Sequence, residues 1–192
     1  MKEVLDDSLG NSNVLSHRSL NQRTIREVVH GIGIGVHCGE KVRITLRPAP
    51  VNSGIQFIRT DIKGAVAIPA RAENVADTTL ATSIAHGSIS VATVEHLMSA
   101  LWGLGIDNLI VELSAEEVPI MDGSAAPFID MIESAGVVEQ LQARKFIRIT
   151  RKIEVNQEGA VASLAPYNGF KAGYTFVANH EIYDQYPKYV EV

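Results

Sequence analysis

The sequence predicts an α+β fold: a mainly antiparallel sheet with two helices on one face, followed by an incomplete second sheet. Three observations carry this expectation. Lys41 to Arg47 alternates apolar Val42, Ile44 and Leu46 with polar Arg43 and Thr45, the period-two pattern of a half-buried strand. From Thr93 onward, Val94, Leu97, Met98, Leu101 and Leu104 recur at helical spacing and form one apolar stripe. A second helix is expected over Ala125 to Ala135, with Phe128, Ile132 and Ala135 on its buried side. Strands, helix, strand, helix in that order suit helices laid against one sheet.

Taken in order, residues 1–21 are polar and acidic and lack the apolar stretch of a secretory signal, so a flexible leader is expected. Arg23 to His30 reads as a strand. The glycines of Gly31-Ile32-Gly33-Ile34-Gly35 match neither a phosphate loop nor a dinucleotide fingerprint. Alternating with β-branched residues, they suit a strand that another backbone approaches closely. After Lys41 to Arg47, Pro48 to Gly54 is a turn and Ile55 to Arg59 is its expected hairpin partner. A shorter pair is expected around Val66–Ile68 and Leu80–Ile84, with a turn near His86-Gly87.

Thr93 is expected to cap the first helix through its hydroxyl, and Gly103 and Gly105 to stop it. Asp107-Asn108 is a turn and Leu109 to Leu113 a strand. Ser124 caps the second helix, Pro127 is tolerated in its first turn, and Gly136 closes it. Residues 22–142 thus form a first domain. Residues 143–192 form an incomplete second domain of strands only: Phe146 to Val155, Ala160 to Leu164 and Phe170 to Val177. Asn168-Gly169 signals a hairpin turn between the last two. A meander with no helix to cover its face is a poor independent domain.

Bulk properties narrow the function. Hydrophobic residues at 46% against 20% charged support a packed core. A net charge of −5 with no basic stripe argues against nucleic acid as a partner. The single cysteine, Cys38, forbids an intrachain disulfide and a cysteine zinc cluster, and fits a reducing compartment. No apolar run approaches the ~20 residues of a membrane-spanning helix.

Glu95 and His96 lie off the apolar stripe, in the first helical turn. There the helix dipole favours a carboxylate and disfavours an imidazolium. An ionised Glu beside a neutral His is what a metal site with an adjacent general base requires. Taken alone, the pentapeptide fits a surface Glu and a polar first-turn His better.

Other stretches change that balance. Gly35-Val36-His37-Cys38-Gly39-Glu40-Lys41-Val42, Leu46-Arg47-Pro48-Ala49-Pro50, Thr93-Val94-Glu95-His96-Leu97, Gly105-Ile106-Asp107-Asn108 and Pro119-Ile120-Met121-Asp122-Gly123-Ser124-Ala125-Ala126-Pro127-Phe128 occur in this order, followed by Pro166-Tyr167-Asn168-Gly169-Phe170. Together they resemble the zinc-dependent UDP-3-O-acyl-N-acetylglucosamine deacetylase family of lipid A biosynthesis, over about Gln22 to His180. The resemblance implies two similar α/β halves with the active site between them, and a cytoplasmic enzyme. It implies that Glu95 is the general base that activates a zinc-bound water and that His96 is a zinc ligand. His37 matches a histidine near the site. Thr78 and Thr79 border the substrate passage for a UDP-linked acylated amino sugar. Asp122, Gly123 and Ser124 match a helix-opening motif with a structural role.

The departures matter too. Ala81 stands where the family often has cysteine, and Cys38 where it usually has Thr or Ser. Cys38 reads either as a buried small thiol or as a stray metal ligand. No histidine here is followed by lysine, so the second-half His-Lys-x-x-Asp motif with two further zinc ligands is not found; the later histidine acid and the acyl-chain insert are not matched either. A catalytic zinc normally takes three protein ligands. His30, His37, His86 and Cys38 could be recruited, but nothing in the sequence arranges them. The expectation is that zinc is weak or absent in this chain alone and that the chain alone is inactive. It is then part of a working deacetylase, a short non-catalytic paralogue, or a folded remnant in which the Glu95-His96 pair is a relic. The paralogue would bind the full-length enzyme or its regulators, and a homodimer or a complex with a full-length relative is expected through residues 145–178.

Overall fold

The computed structural model describes residues 20–157, 159–175 and 189–191. The expected leader, apart from Leu20 and Asn21, lies outside the described residues, as does the end of the expected Phe170–Val177 strand. The chain divides into two compact units, one ending at Arg144 and one beginning at Lys145.

The first unit contains, in chain order, β1 (Asn21–Ile25), β2 (Val29–Ile34), β3 (Lys41–Pro48), β4 (Ile55–Arg59), β5 (Ile68–Pro69), β6 (Val75–Asp77), β7 (Ser83–His86), β8 (Ile89–Val91), α1 (Glu95–Leu104), β9 (Leu109–Leu113), α2 (Ala126–Ser134) and β10 (Val137–Ala143). The fold is α+β, with strands in several sheets and two helices. The main sheet has five strands in the order β2-β3-β9-β4-β5. β6-β7-β8 form a three-stranded sheet, and β1 pairs antiparallel with β10.

The expected hairpin between β3 and β4 does not form. β9 lies between them, antiparallel to β3 with Leu46 opposite Val111, and parallel to β4 with Phe57 opposite Val111. Leu109, Val111 and Leu113 are fully buried on one face, and β9 holds a ladder neighbour on each side. The connection from Pro48 to Gly54 need only cross one strand, ~10 Å at sheet spacing. Asn108, just before β9, anchors the far end of that turn by accepting from the Gly54 amide at 2.9 Å.

Other expectations shift in register. The Arg23–His30 strand breaks in two, because the amides of Arg26 and Glu27 bond to Gly136 and Ala135 rather than to a sheet neighbour. β5 pairs with β4, and β7 pairs with β6 and β8, so the expected Val66–Ile68 and Leu80–Ile84 pairing is not made. The turn at His86-Gly87 does form, joining β7 to β8, with Gly87 at φ 62°.

The core unites Val42, Ile44 and Leu46 of β3 with Leu109, Val111 and Leu113 of β9, Leu97 and Leu101 of α1, and Phe128 and Ile132 of α2. Each such side chain contributes about 1.5–3 kcal/mol when removed from water. The alternation in β3 does what its pattern implies: Arg43, Thr45 and Arg47 line a cavity on the opposite side of the sheet. The alternating glycines of β2 also have a cause. A Cβ at Gly31 would lie 3.0 Å from Met131 Sδ, and one at Gly33 would lie 2.8 Å from Pro119. The close neighbours are side chains of α2 and of the segment before it, not the backbone that the sequence pattern suggests.

The helix ends depart from expectation at Thr93, Gly103 and Ser124 and agree at Gly105. The residue before α1 is Val94, with no side-chain cap; the Thr93 hydroxyl is engaged elsewhere. Gly103 lies inside α1, and Gly105, left-handed at φ 68°, ends it. The residue before α2 is Ala125, with no side-chain cap bond, so Ser124 is not the cap expected; its Oγ accepts from the Ala126 amide at 3.1 Å from one residue further out.

In the second unit, β11 (Ile153–Gln157) and β12 (Ala160–Leu164) form a hairpin, and β13 (Gly173–Thr175) pairs with β14 (Tyr189–Glu191). Among the described residues the expected three-stranded meander is not found. β11 begins at Ile153 rather than Phe146, since it extends only as far as its five-residue partner. Asn168-Gly169 joins no hairpin, because β12 and β13 belong to different pairs.

Candidate functional site at the start of the first helix

Three separate segments meet where α1 begins. Ala92 lies beside residues 116–118, its amide donating to Glu116 and its carbonyl accepting from Val118 at 2.8 and 3.0 Å. Thr93 then turns the chain with φ 58°, a left-handed conformation rare for a β-branched residue. The Thr93 hydroxyl donates to Glu117 Oε1 at 2.7 Å. Two residues later Glu95 opens the helix.

Glu117 is 1% exposed, yet four donors converge on its carboxylate. They are the His37 amide at 3.1 Å, the Cys38 amide at 3.0 Å, His37 Nδ1 at 2.9 Å and the Thr93 hydroxyl. Burial pushes this carboxyl up, but the Cys38 amide, the Thr93 hydroxyl and the His37 ring outweigh it and hold it at about 2. The group is therefore ionised at neutral pH. An ionised carboxylate only accepts, so His37 Nδ1 carries a proton, and in the neutral ring Nε2 is left as an acceptor.

Glu95 is exposed, and its Oε1 accepts from the Thr82 amide. Burial pushes its carboxyl up, but its own amide and the Thr82 amide and hydroxyl outweigh that, and His96 adds to the lowering. His96 is half-buried and also contributes to the lowering at Asp122, whose main causes are the Ser124 hydroxyl and amide. The first turn of α1 therefore lies near the turn that opens α2. A groove of about 260 Å³ runs beside Glu95, lined by Val75, Thr82, Ile84, Val94 and Met98. The larger cavity of about 770 Å³, on the opposite side of the main sheet, is lined by His30, Arg43, Thr45, Arg47 and Glu112.

The structure brings His37, Glu95 and His96 to one end of α1. Thr78 and Thr79 lie on an exposed turn three to four residues before Thr82. The Thr79 hydroxyl donates to Asp77 at 2.7 Å, so it serves that turn rather than Glu95. Cys38 is only partly buried. Burial raises its thiol, with Glu117 adding to the rise against the Glu40 amide, so it is a thiol rather than a thiolate ligand.

Sequence reading missed Glu117. Its signal is faint: one of two adjacent acids, placed before the apolar Val118-Pro119-Ile120.

The family model "LpxC: UDP-3-O-acyl N-acetylglycosamine deacetylase" matches residues 22–191. The chain belongs to this deacetylase family. It is 54% identical over 164 residues to the UDP-3-O-acyl-N-acetylglucosamine deacetylase of Chromohalobacter salexigens, covering 85% of this chain and 54% of the relative. Proteins of the same name from Teredinibacter turnerae and Hahella chejuensis are each 52% identical, over 164 and 163 residues, with 85% of this chain and 54% of the relative covered. The chain thus spans about half the length of the curated relatives it matches.

The deacetylase family implies zinc, and the residues at hand can be tested against it. Among the described residues no group of three or more His, Cys, Asp or Glu side chains could hold a metal ion. His37 Nδ1 is taken by Glu117, and the Cys38 thiol is protonated. The described residues do not by themselves fit a three-ligand catalytic zinc.

Proposed function

We propose that this chain supplies the first-half face of a UDP-3-O-acyl-N-acetylglucosamine deacetylase site, acting on the N-acetyl group of an acylated sugar nucleotide. Glu95 is its general base, His96 is one metal ligand, and His37, Thr78 and Thr79 border the substrate. The observation that carries this reading is the ionised Glu95, oriented by the Thr82 amide beside His96 at the opening of a helix. Zinc is the proposed cofactor of the completed site, with the remaining ligands supplied from outside the described residues. The proposed location is the cytoplasm. Among the described residues no helix is long and apolar enough to cross a membrane, a statement about helices only.

Amide hydrolysis needs a base to take the proton of the attacking water and a proton for the departing amine. Glu95 is exposed, ionised and fixed by one amide, so it can fill the first role. Substrate that excludes water from this carboxylate would raise its basicity. No side chain near α1 is assigned to protonating the amine.

The test is complementation. The chain is combined with the remaining half of a relative, and turnover of the acylated sugar nucleotide is followed. Glu95→Ala is expected to lower the rate by about 10²–10⁴, the usual contribution of a general base. His96→Ala should lose metal and rate together. A complemented Glu95→Ala enzyme with undiminished turnover would refute the assignment.

One observation favours a second reading, in which the chain pairs with a second copy or with a relative. The second unit exposes Phe146, Ile147, Val155, Val161 and Tyr167. A run of exposed large apolar groups is the mark of an association surface.

A further inference from the structure

The cavity behind the main sheet has its one carboxylate, Glu112, already paired with Arg47 at 2.9 Å. The proposed function leaves one buried titratable group unused, the carboxylate of Glu117.

We propose that Glu117 is a positioning residue: its buried carboxylate clamps the His37 loop to the turn that opens α1 and fixes His37 as the Nδ1–H tautomer, with Nε2 free to accept. The effect on turnover rests on the deacetylase reading above; the clamp and the tautomer do not.

The geometry argues for an ionised acceptor rather than a generic buried polar group. Two of the four donors are backbone amides of adjacent residues, His37 and Cys38, and a third is the ring of His37 itself. A glutamine offers one acceptor oxygen, and its NH₂ would face these N–H groups donor to donor. A carboxylate meets all four without conflict.

The packing is cut to fit this carboxylate. Gly35 opens the His37 loop, and a Cβ there would lie 2.6 Å from Glu117 Oε2 and 2.3 Å from Cys38 Sγ. The loop can close over the carboxylate only because residue 35 has no side chain.

The other end of the clamp sets the helix. A non-glycine residue in the left-handed region costs on the order of 1–3 kcal/mol and persists when its surroundings hold it there. Thr93 is held by its hydroxyl bond to Glu117 and by the ladder that Ala92 makes with residues 116–118. That conformation aims the first turn of α1, and with it Glu95 and His96. One charge thus ties the His37 ring, 3.4 Å from the Thr93 hydroxyl, to the Glu95-His96 turn. The side chain of His37 is 42% exposed, so its Nε2 remains reachable by a ligand.

The experiment is ¹⁵N NMR of the imidazoles in the full chain, at a pH where the histidines are neutral. His37 is assigned by its loss in His37→Gln. Wild-type His37 is expected as Nδ1–H. Glu117→Gln is expected to shift it toward Nε2–H, the form free histidine favours. Glu117→Asp, which keeps the charge, should retain a larger share of Nδ1–H than Glu117→Gln. Wild-type His37 found as Nε2–H overturns the proposal without any variant, so a Glu117→Gln chain that fails to fold does not shield it. A folded Glu117→Gln chain with unchanged Nδ1–H also overturns it.

The second arm uses the complemented enzyme. Removing the partner that orients a working histidine typically costs about 10–100-fold, so kcat/KM in Glu117→Gln should fall by that order, with partial recovery in Glu117→Asp. Unchanged kcat/KM alongside a shifted tautomer overturns the positioning role. An inactive complemented wild-type enzyme tells against the deacetylase reading, and the tautomer arm still decides the clamp.

Discussion

Acid should unfasten the first unit through Glu117. In the folded chain this carboxyl is held at about 2, against an ordinary value of 4.5. A folded value below the unfolded one stabilises the fold above the unfolded value, and that stability is lost as pH falls through the folded value. The difference of about 2.5 units, at 1.36 kcal/mol each, corresponds to about 3 kcal/mol. This contribution should be fully present above pH ~5 and largely gone near pH ~2. The perturbation that isolates it is Glu117→Gln, because Glu95, Asp61, Asp77 and Asp122 are also lowered and contribute to the same window in both proteins. The assay is urea unfolding followed by Trp102, the single tryptophan, which lies in α1 and so reports on the first unit. Wild type should be more stable than Glu117→Gln near neutral pH, and the gap should close as pH drops below ~4. Parallel curves for the two proteins across this window would refute the reasoning, since they would mean Glu117 titrates alike folded and unfolded.

Gly35→Ala should destabilise the first unit by about 1–3 kcal/mol, the usual cost of forcing atoms into a filled space; an unchanged urea midpoint would show that the loop can relax. The isolated chain should retain well below stoichiometric zinc after gel filtration, because His96 is the one ligand assigned in it. Stoichiometric, chelator-resistant metal would require two further ligands, with His37 examined first. Light scattering at micromolar concentration should show a homodimer that is lost on deleting residues 145–192. A dimer that survives the deletion would move the interface into the first unit, and a strict monomer would remove the pairing model.

Much of the first unit was legible because burial is periodic. The alternation in β3 and the stripe in α1 gave the right elements, since side chains two or three to four residues apart share a face. Partner choice was not legible in the same way. Nothing within Ile55 to Arg59 says that its neighbour is Leu109–Leu113 rather than Lys41–Pro48. Leu109, Val111 and Leu113 are fully buried, but so is Ile68 of the edge strand β5, so one-face burial does not select the neighbour either. Strand β10 escaped notice for a related reason. Val137–Ala143 is largely exposed or half-buried, with Glu139 and Gln140 interrupting its apolar residues, and its pairing with β1 spans more than a hundred residues of sequence. In the second unit an Asn-Gly turn signal misled, because a turn residue fixes local backbone geometry but not which strands meet beyond it.

The site divides along the same line. Glu95 and His96 stand out because they are charged or polar residues at a helix start, a position with its own electrostatics. Glu117 does not stand out, because its meaning is entirely non-local: its partners are eighty, seventy-nine and twenty-four residues away. Two local traces of it were nevertheless visible. One is the run of glycines ending at Gly35, whose last member clears the space the carboxylate occupies. The other is Thr93, read as a helix cap because a threonine before a helix normally bonds the orphan amides of the first turn. The Thr93 hydroxyl instead turns back to a buried anion, and the helix begins without a side-chain cap. A missing cap has a cost of about 1 kcal/mol, and a left-handed threonine adds to it. Both are borne at the one turn that presents Glu95 and His96. Strain of this kind survives where surrounding structure over-determines it, and here the over-determining group is a single carboxylate with four donors. By the proposal, the turn that presents the base is set by Glu117, a residue outside α1 whose hydrogen bonds go to His37, Cys38 and Thr93.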